Sequence, residues 1–241
     1  MAKPIGYIID QGLSPIDSKP YVAVLTLKTS NRKTGNMAQV WILRSDINPV
    51  EAVNTGEDYS ICGSCPHRKK EDGSRACYVN IGQAPNSVYK AFKKGRYTIA
   101  SSKELRAAVA GRRVRWGAYG DPSILHASVV NEINSYASDH TGYTHQWRND
   151  FASQFKGVFQ ASCDNIIDYL DASTLGWKTF SVVDTNYPIH NKKINKYAKQ
   201  CPATVTNSVA TCDSCTLCNG NKQDIFVVAH GSGAKHVASF I

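Results

Sequence analysis

No run of about eighteen or more apolar residues occurs in this sequence, so it predicts no membrane-spanning helix. Its opening, Met1-Ala2-Lys3-Pro4-Ile5-Gly6, lacks the basic-then-apolar order of a secretory leader. Internal repeats and low-complexity tracts are also missing. Acidic residues are few beside basic ones, 19 against 28, giving a formal charge of +9. The expectation is therefore a cytoplasmic protein without membrane association. In a reducing compartment its eight cysteines read as metal ligands or core residues rather than disulfides.

What is present is ordinary globular material: 241 residues, 42% hydrophobic and 20% charged, enough for one large domain or two small ones. The basic excess gathers at 67–70, 90–96, 106–115 and 191–199. Such clusters favour an anionic partner, either a small molecule or nucleic acid, and solvated helix faces are the bland alternative.

The β-branched and aromatic runs 21–27 and 39–44 predict two strands, joined as a hairpin through the polar stretch 29–36. Residues 54–80, with Gly56, Gly63, Pro66 and Gly73 and no sustained periodicity, read as loop. Thereafter helices and strands alternate. A helix over 86–94 stops at Gly95, and Ser101 with Glu104 forms a capping box that opens a helix over 103–110, with Gly111 after it. A strand over 113–118 leads into the turn Gly120-Asp121-Pro122, and a helix follows over 127–137. Strands are expected at 142–147, 157–161, 178–183 and 225–229. Helices are expected from a cap at Asp164 through 173, ended by Gly176, and over 191–199. This order predicts an α/β fold, either a partial (β/α) barrel or a parallel sheet. Residues 1–60 would form an N-terminal β-hairpin region, 61–200 the core, and 201–241 a C-terminal Cys-rich segment with the last strand. In such folds functional residues gather beyond the C-terminal ends of strands.

Two cysteine groups stand out. Cys62-Gly63-Ser64-Cys65 is joined by Cys77 after eleven residues, and the nearby Arg68, Lys69, Lys70 and Arg75 favour ionised thiolates. Three cysteines leave one metal position open unless His67 or Cys163 closes it. A structural zinc stapling the loop is the competing reading, and a redox pair lacks the thioredoxin-like context. Cys201, Cys212, Cys215 and Cys218 form C-x10-C-x2-C-x2-C, a close-set spacing found in iron–sulfur proteins that four-cysteine zinc sites also tolerate. Four ligands would close that site, which suits structure or electron relay.

A cysteine triad after an early strand, then Tyr119-Gly120-Asp121-Pro122 after the next parallel strand, resembles the radical S-adenosylmethionine (SAM) enzymes over residues 60–185. In that family the triad holds three irons of a [4Fe–4S] cluster, SAM chelates the fourth, and a Gly-Gly-Glu-Pro-like motif contacts the SAM amino group. The resemblance implies that Cys62, Cys65 and Cys77 hold a catalytic cluster, that Gly120, Asp121 and Pro122 seat SAM, and that the C-terminal cysteines form an auxiliary cluster. The triad here is C-x2-C-x11-C where the family has C-x3-C-x2-C, and Asp121 stands where Glu is usual. The chain also resembles small bacteriophage proteins with this cysteine layout, for which the host cytoplasm is the expected location. The alternative is a non-catalytic, zinc-stabilised module that binds nucleic acid or a host protein.

Other polar residues fall at predicted strand ends. His145 and Arg148 lie on or just after one strand, Cys163 and Asp184 end two others, and His230-Gly231-Ser232-Gly233 follows the last. A satisfied histidine and a small core cysteine are the bland readings of His145 and Cys163. The glycines near His230 allow backbone amides to approach an anion but lack the Walker lysine pattern.

Overall fold

The apolar runs 21–27 and 39–44 become β2 (Pro20–Thr26) and β3 (Ala38–Arg44), antiparallel neighbours in a computed structural model describing residues 4–184, 197–205, 209–231 and 233–240. Both strands are buried almost throughout, because each has a neighbour on either side and helices against the sheet. Outside them lie β1 (Gly6–Leu13), antiparallel to β2, and the two-residue β4 (Thr98–Ile99), parallel to β1. On the other side come β5 (Arg113–Tyr119) and β6 (Asp139–Thr141), parallel to each other and to β3. The order of this six-stranded sheet is β4-β1-β2-β3-β5-β6.

The second sheet is wholly parallel. It orders β10-β11-β9-β8-β7, from β7 (Tyr143–Thr144), β8 (Gln160–Cys163), β9 (Thr179–Val183), β10 (Lys199–Gln200) and β11 (Ile225–Val228). Only Gly142 separates β6 from β7, so one extended segment leaves the first sheet and enters the second. A Cβ on Gly142 would lie 2.6 Å from the Phe159 ring, which explains the glycine. Of the strand expected over 142–147 only 143–144 is strand, and the strand at 139–141 precedes it. The parallel strands from β3 to β10 form an unclosed succession, in keeping with the α/β class expected.

Helices connect the strands. They are α1 (Pro49–Thr55), the single turn α2 (Tyr59–Cys62), α3 (Ala84–Lys93), α4 (Ser102–Val109), α5 (Ala127–Tyr136) and α6 (Ile166–Thr174). The capping box of α4 is formed as expected: the Glu104 amide donates to Ser101 Oγ, and the Ser101 amide donates to the Glu104 carboxylate. The stretch 54–80 is less irregular than its composition suggests, because α2 ends on Cys62. Of the helix expected over 191–199, residues 191–196 lie outside the described residues, and Lys199 belongs to β10. Trp116, Phe155, Phe159, Ile42 and Ile133 are among the fully buried side chains of the core. Among the described residues no helix is long and apolar enough to cross a membrane.

Candidate functional site

Side chains alternate along a strand, so every second residue of a parallel run can face one space. Here Arg115, Gly117 and Tyr119 of β5 line a cavity of about 260 Å³, together with Tyr143 of β7, Phe180 and Val182 of β9, and Ile225 and Val227 of β11. The same cavity is lined by Cys62, Cys65 and Cys77, next to the turn that ends β5, and by Cys212, Cys215 and Cys218 near the starts of β5 and β6, with Cys201 just after β10. The two cysteine groups therefore face one lumen from opposite ends.

The first group is held by a dense set of bonds around α2. Arg68 pairs with Asp58 at 2.7 Å and donates to the Gly56 carbonyl at 2.6 Å. Arg75 Nη1 donates to the carbonyls of Cys77 and Val79 at 3.0 Å each. Burial pushes the Cys62 thiol well up, Asp58 adds to the effect, and Arg68 opposes it. Cys77 is also raised by burial, with Arg75 opposing. Both arginines thus lie where they favour thiolate, as expected, whereas Lys69 reaches outward to Asn54. The sulfurs are spread: among the described residues no three cysteines bring their sulfurs within 4.8 Å of one another.

The turn expected at Gly120-Asp121-Pro122 is present, and it is bolted to the cysteine loop. The Asp121 amide donates to the Ile61 carbonyl at 2.7 Å, next to Cys62. Asp121 Oδ1 accepts from the Ser123 amide and hydroxyl, and Oδ2 accepts from the His145 amide at 2.8 Å. Gly120, at φ +79°, is fixed by packing, since a Cβ there would lie 2.7 Å from Ile42. Gly117, at φ +64°, makes the bulge that lets Tyr119 pair with Trp41 two residues late.

The two residues named as possible fourth ligands of the first group, Cys163 and His67, are placed differently. Cys163 is fully buried and directs its thiol to the Ala161 carbonyl, which is core behaviour. His67 lines the cavity, but its Nε2 meets Asp164 Oδ1 at 2.5 Å. His145 does approach a cysteine, with Nε2 3.8 Å from Cys65 Sγ and 3.0 Å from Asp164 Oδ2. Burial acts to lower His145, yet Cys65 and then Asp164 outweigh it and hold its pKa well above the ordinary value. Asp164 is not the cap of α6; the neighbouring Asn165 caps it through Asp168, leaving Asp164 turned to the histidines.

The second group sits on one helical turn, Cys212–Cys215, with Cys201 before the 3-10 turn Pro202–Thr204. Thr216 and Asn219 beside it bond to Asp139 at the start of β6, and Lys222 completes that cluster. Gly220, at φ +90°, packs so closely that a Cβ would lie 2.4 Å from the Val158 carbonyl carbon. Burial and the other three cysteines push the Cys218 thiol well up.

Between the groups, half-buried Arg115 donates to Tyr78 Oη at 2.5 Å, and Tyr78 Oη lies 2.9 Å from Tyr143 Oη. Among the described residues Arg115 has no carboxylate partner. Nearby, the buried Tyr119 hydroxyl has no hydrogen-bond partner among them. The sequence shows Arg115 only as one member of a basic run and does not single it out; the alternation Arg113-Arg115-Gly117-Tyr119 in a strand is the available signal. Of the remaining residues, Arg148 pairs outward with Asp168 and Asp171. Asp184 is buried after β9, and His230 lines the cavity beside Tyr78. Ser232 lies outside the described residues.

No family model, curated protein or solved structure matches this chain.

Proposed function

We propose that the chain is an iron–sulfur enzyme resembling the radical SAM family, acting on an anionic small molecule held in the lumen between its cysteine groups. One observation carries the reading. Cys62, Cys65 and Cys77 share a cavity with Arg115, a cation that no carboxylate neutralises among the described residues. Thiolates are soft donors suited to iron–sulfur clusters and zinc alike. The close-set cysteine spacings, shared with iron–sulfur proteins, are the ground for preferring a cluster.

When bound, such a cluster supplies an electron for reductive cleavage of SAM. The chain's own residues bind and orient. Arg68 and Arg75 balance thiolate charge, and Asp121 pins α2 and His145 to the end of β5. A carboxylate offers about four acceptor directions. Three are used at Asp121, and the fourth is available to a ligand ammonium. Arg115, steadied by Tyr78, is placed to take a carboxylate or phosphate of the substrate through its planar fork.

The test is purification without oxygen. The expected protein is brown, holds iron and sulfide in near-equal amounts, and binds SAM in anaerobic calorimetry. Zinc alone, in protein never exposed to air, overturns the enzyme reading in favour of the zinc-stabilised binding module.

A further inference from the structure

We propose a second metal site, separate from both cysteine groups, in which His67 Nε2, His145 Nε2 and the Asp164 carboxylate bind one divalent first-row transition ion, Fe(II) or Zn(II). The three come from distant parts of the chain: the cysteine loop, the residue after β7 and the residue after β8. Their ligand atoms nevertheless all lie within 4.8 Å of one another. Asp164 meets His67 at 2.5 Å through Oδ1 and His145 at 3.0 Å through Oδ2, so each oxygen faces one imidazole. His67 and Asp164 are 8% and 6% exposed, and the His145 side chain is 16% exposed.

The donor chemistry narrows the occupant. Two imidazole nitrogens and a carboxylate within 4.8 Å of one another suit iron, zinc and their neighbours rather than magnesium or calcium, which prefer all-oxygen shells. Two histidines and one carboxylate on one face of an ion leave other positions open, the arrangement of non-haem Fe(II) sites. Cys65 Sγ lies 3.8 Å from His145 Nε2 but is not among the three residues whose ligand atoms all lie within 4.8 Å of one another, so it belongs to the first cysteine group and not to this site.

The surrounding bonds fit this assignment. Asp121 holds the His145 backbone through its amide at 2.8 Å, fixing where that imidazole enters the site. Asn165 relieves Asp164 of capping α6, so the carboxylate has no local duty in the helix. A cysteine–histidine nucleophile would need the imidazole to turn one nitrogen to sulfur and the other to the carboxylate. Here both Cys65 and Asp164 approach the same nitrogen, Nε2, so a metal ligand is the better description.

Cobalt(II) is the probe, because it replaces iron and zinc and is paramagnetic. It is titrated into the intact protein in parallel with Asp164→Asn and Cys77→Ser, with total metal counted and the histidine ring protons followed by NMR. The expected result is one ion that Cys77→Ser retains and Asp164→Asn binds at least tenfold more weakly, with the His67 and His145 ring signals shifted by the first equivalent. The NMR arm uses the unaltered chain, so it decides even if Asp164→Asn fails to fold. Ring signals that stay unshifted while cobalt binds elsewhere would overturn the proposal and leave a proton-held clamp between loop and sheet. Cobalt held by the cysteines instead is recognised by its loss in Cys77→Ser, which would overturn the proposal.

Discussion

The two cysteine groups face one cavity but are built in opposite ways. The first lies where the parallel strands end and is supported by charges: Arg68 on Asp58, Arg75 on the Cys77 carbonyl, Asp121 on the His145 amide. The second has its Cys212–Cys218 segment near the starts of β5 and β6 and is supported by close packing and one acidic anchor, through Gly220 against Val158 and Asp139 under Thr216 and Asn219. Charges near a site tune reactivity, whereas a backbone wedged against backbone fixes position. Under the proposed reading the first group is the one that does chemistry, and the second is the structural one.

The hardest way to break the comparison is Gly220→Ala. The side chain would need a left-handed backbone and would drive a Cβ to 2.4 Å from the Val158 carbonyl carbon. A loss of roughly 2–4 kcal/mol is expected, from strain and overpacking together. Thermal unfolding and metal content report it: the midpoint should fall and the C-terminal metal should go first. Gly73→Ala is the control, because its Cβ would meet nothing within 4 Å and only backbone strain remains. Equal effects of the two changes would mean that packing at Gly220 does not hold the segment.

Next in size is the contrast between Cys215→Ala and Cys65→Ala. A four-ligand site contributes its binding free energy to folding. Cys215→Ala should therefore lower solubility and the unfolding midpoint, while Cys65→Ala should leave a folded chain short of one metal centre. Circular dichroism with metal analysis separates the cases. Equal unfolding by both erases the division between a working end and a closing end.

How much of this is legible in the sequence depends on range. The β2–β3 hairpin, the Ser101–Glu104 capping box and the Gly120-Asp121-Pro122 turn are local, so the residues that make them are neighbours in the chain. The site is only partly legible. Cysteine spacing marks both groups, but the sequence points to Asp164 as the helix cap because Asp164 and Asn165 are equally able caps one residue apart. Which of them caps is decided by where β8 ends. The meeting of His67 with Asp164, 97 positions away, leaves no local trace. Arg115 is hidden for another reason: a basic run reads as surface until a strand turns its alternate members inward.

The smallest expected effect concerns Asp139, the acidic anchor of the C-terminal end. Burial acts to raise its carboxyl, but bonds from Lys222, Thr216, the His140 amide and Asn219 outweigh it and bring the pKa to about 2, below the ordinary value of 3.8. A carboxyl depressed by folding stabilises the folded state wherever it is ionised in both states. That contribution is complete above about pH 4 and is lost as pH falls through the folded value near 2. Asp139→Asn keeps the shape, removes the charge and cannot titrate. Urea midpoints of the two proteins should therefore differ most at pH 6, with the unaltered chain the more stable, and the gap should narrow steadily below pH 4. Because every other acid-sensitive group is shared, including the cysteines, the narrowing of the gap isolates this one carboxylate. A gap that holds constant from pH 6 down to pH 3 would mean that the segment is fastened by its packing at Gly220 alone, and that the second cysteine group needs no charge to stay in place.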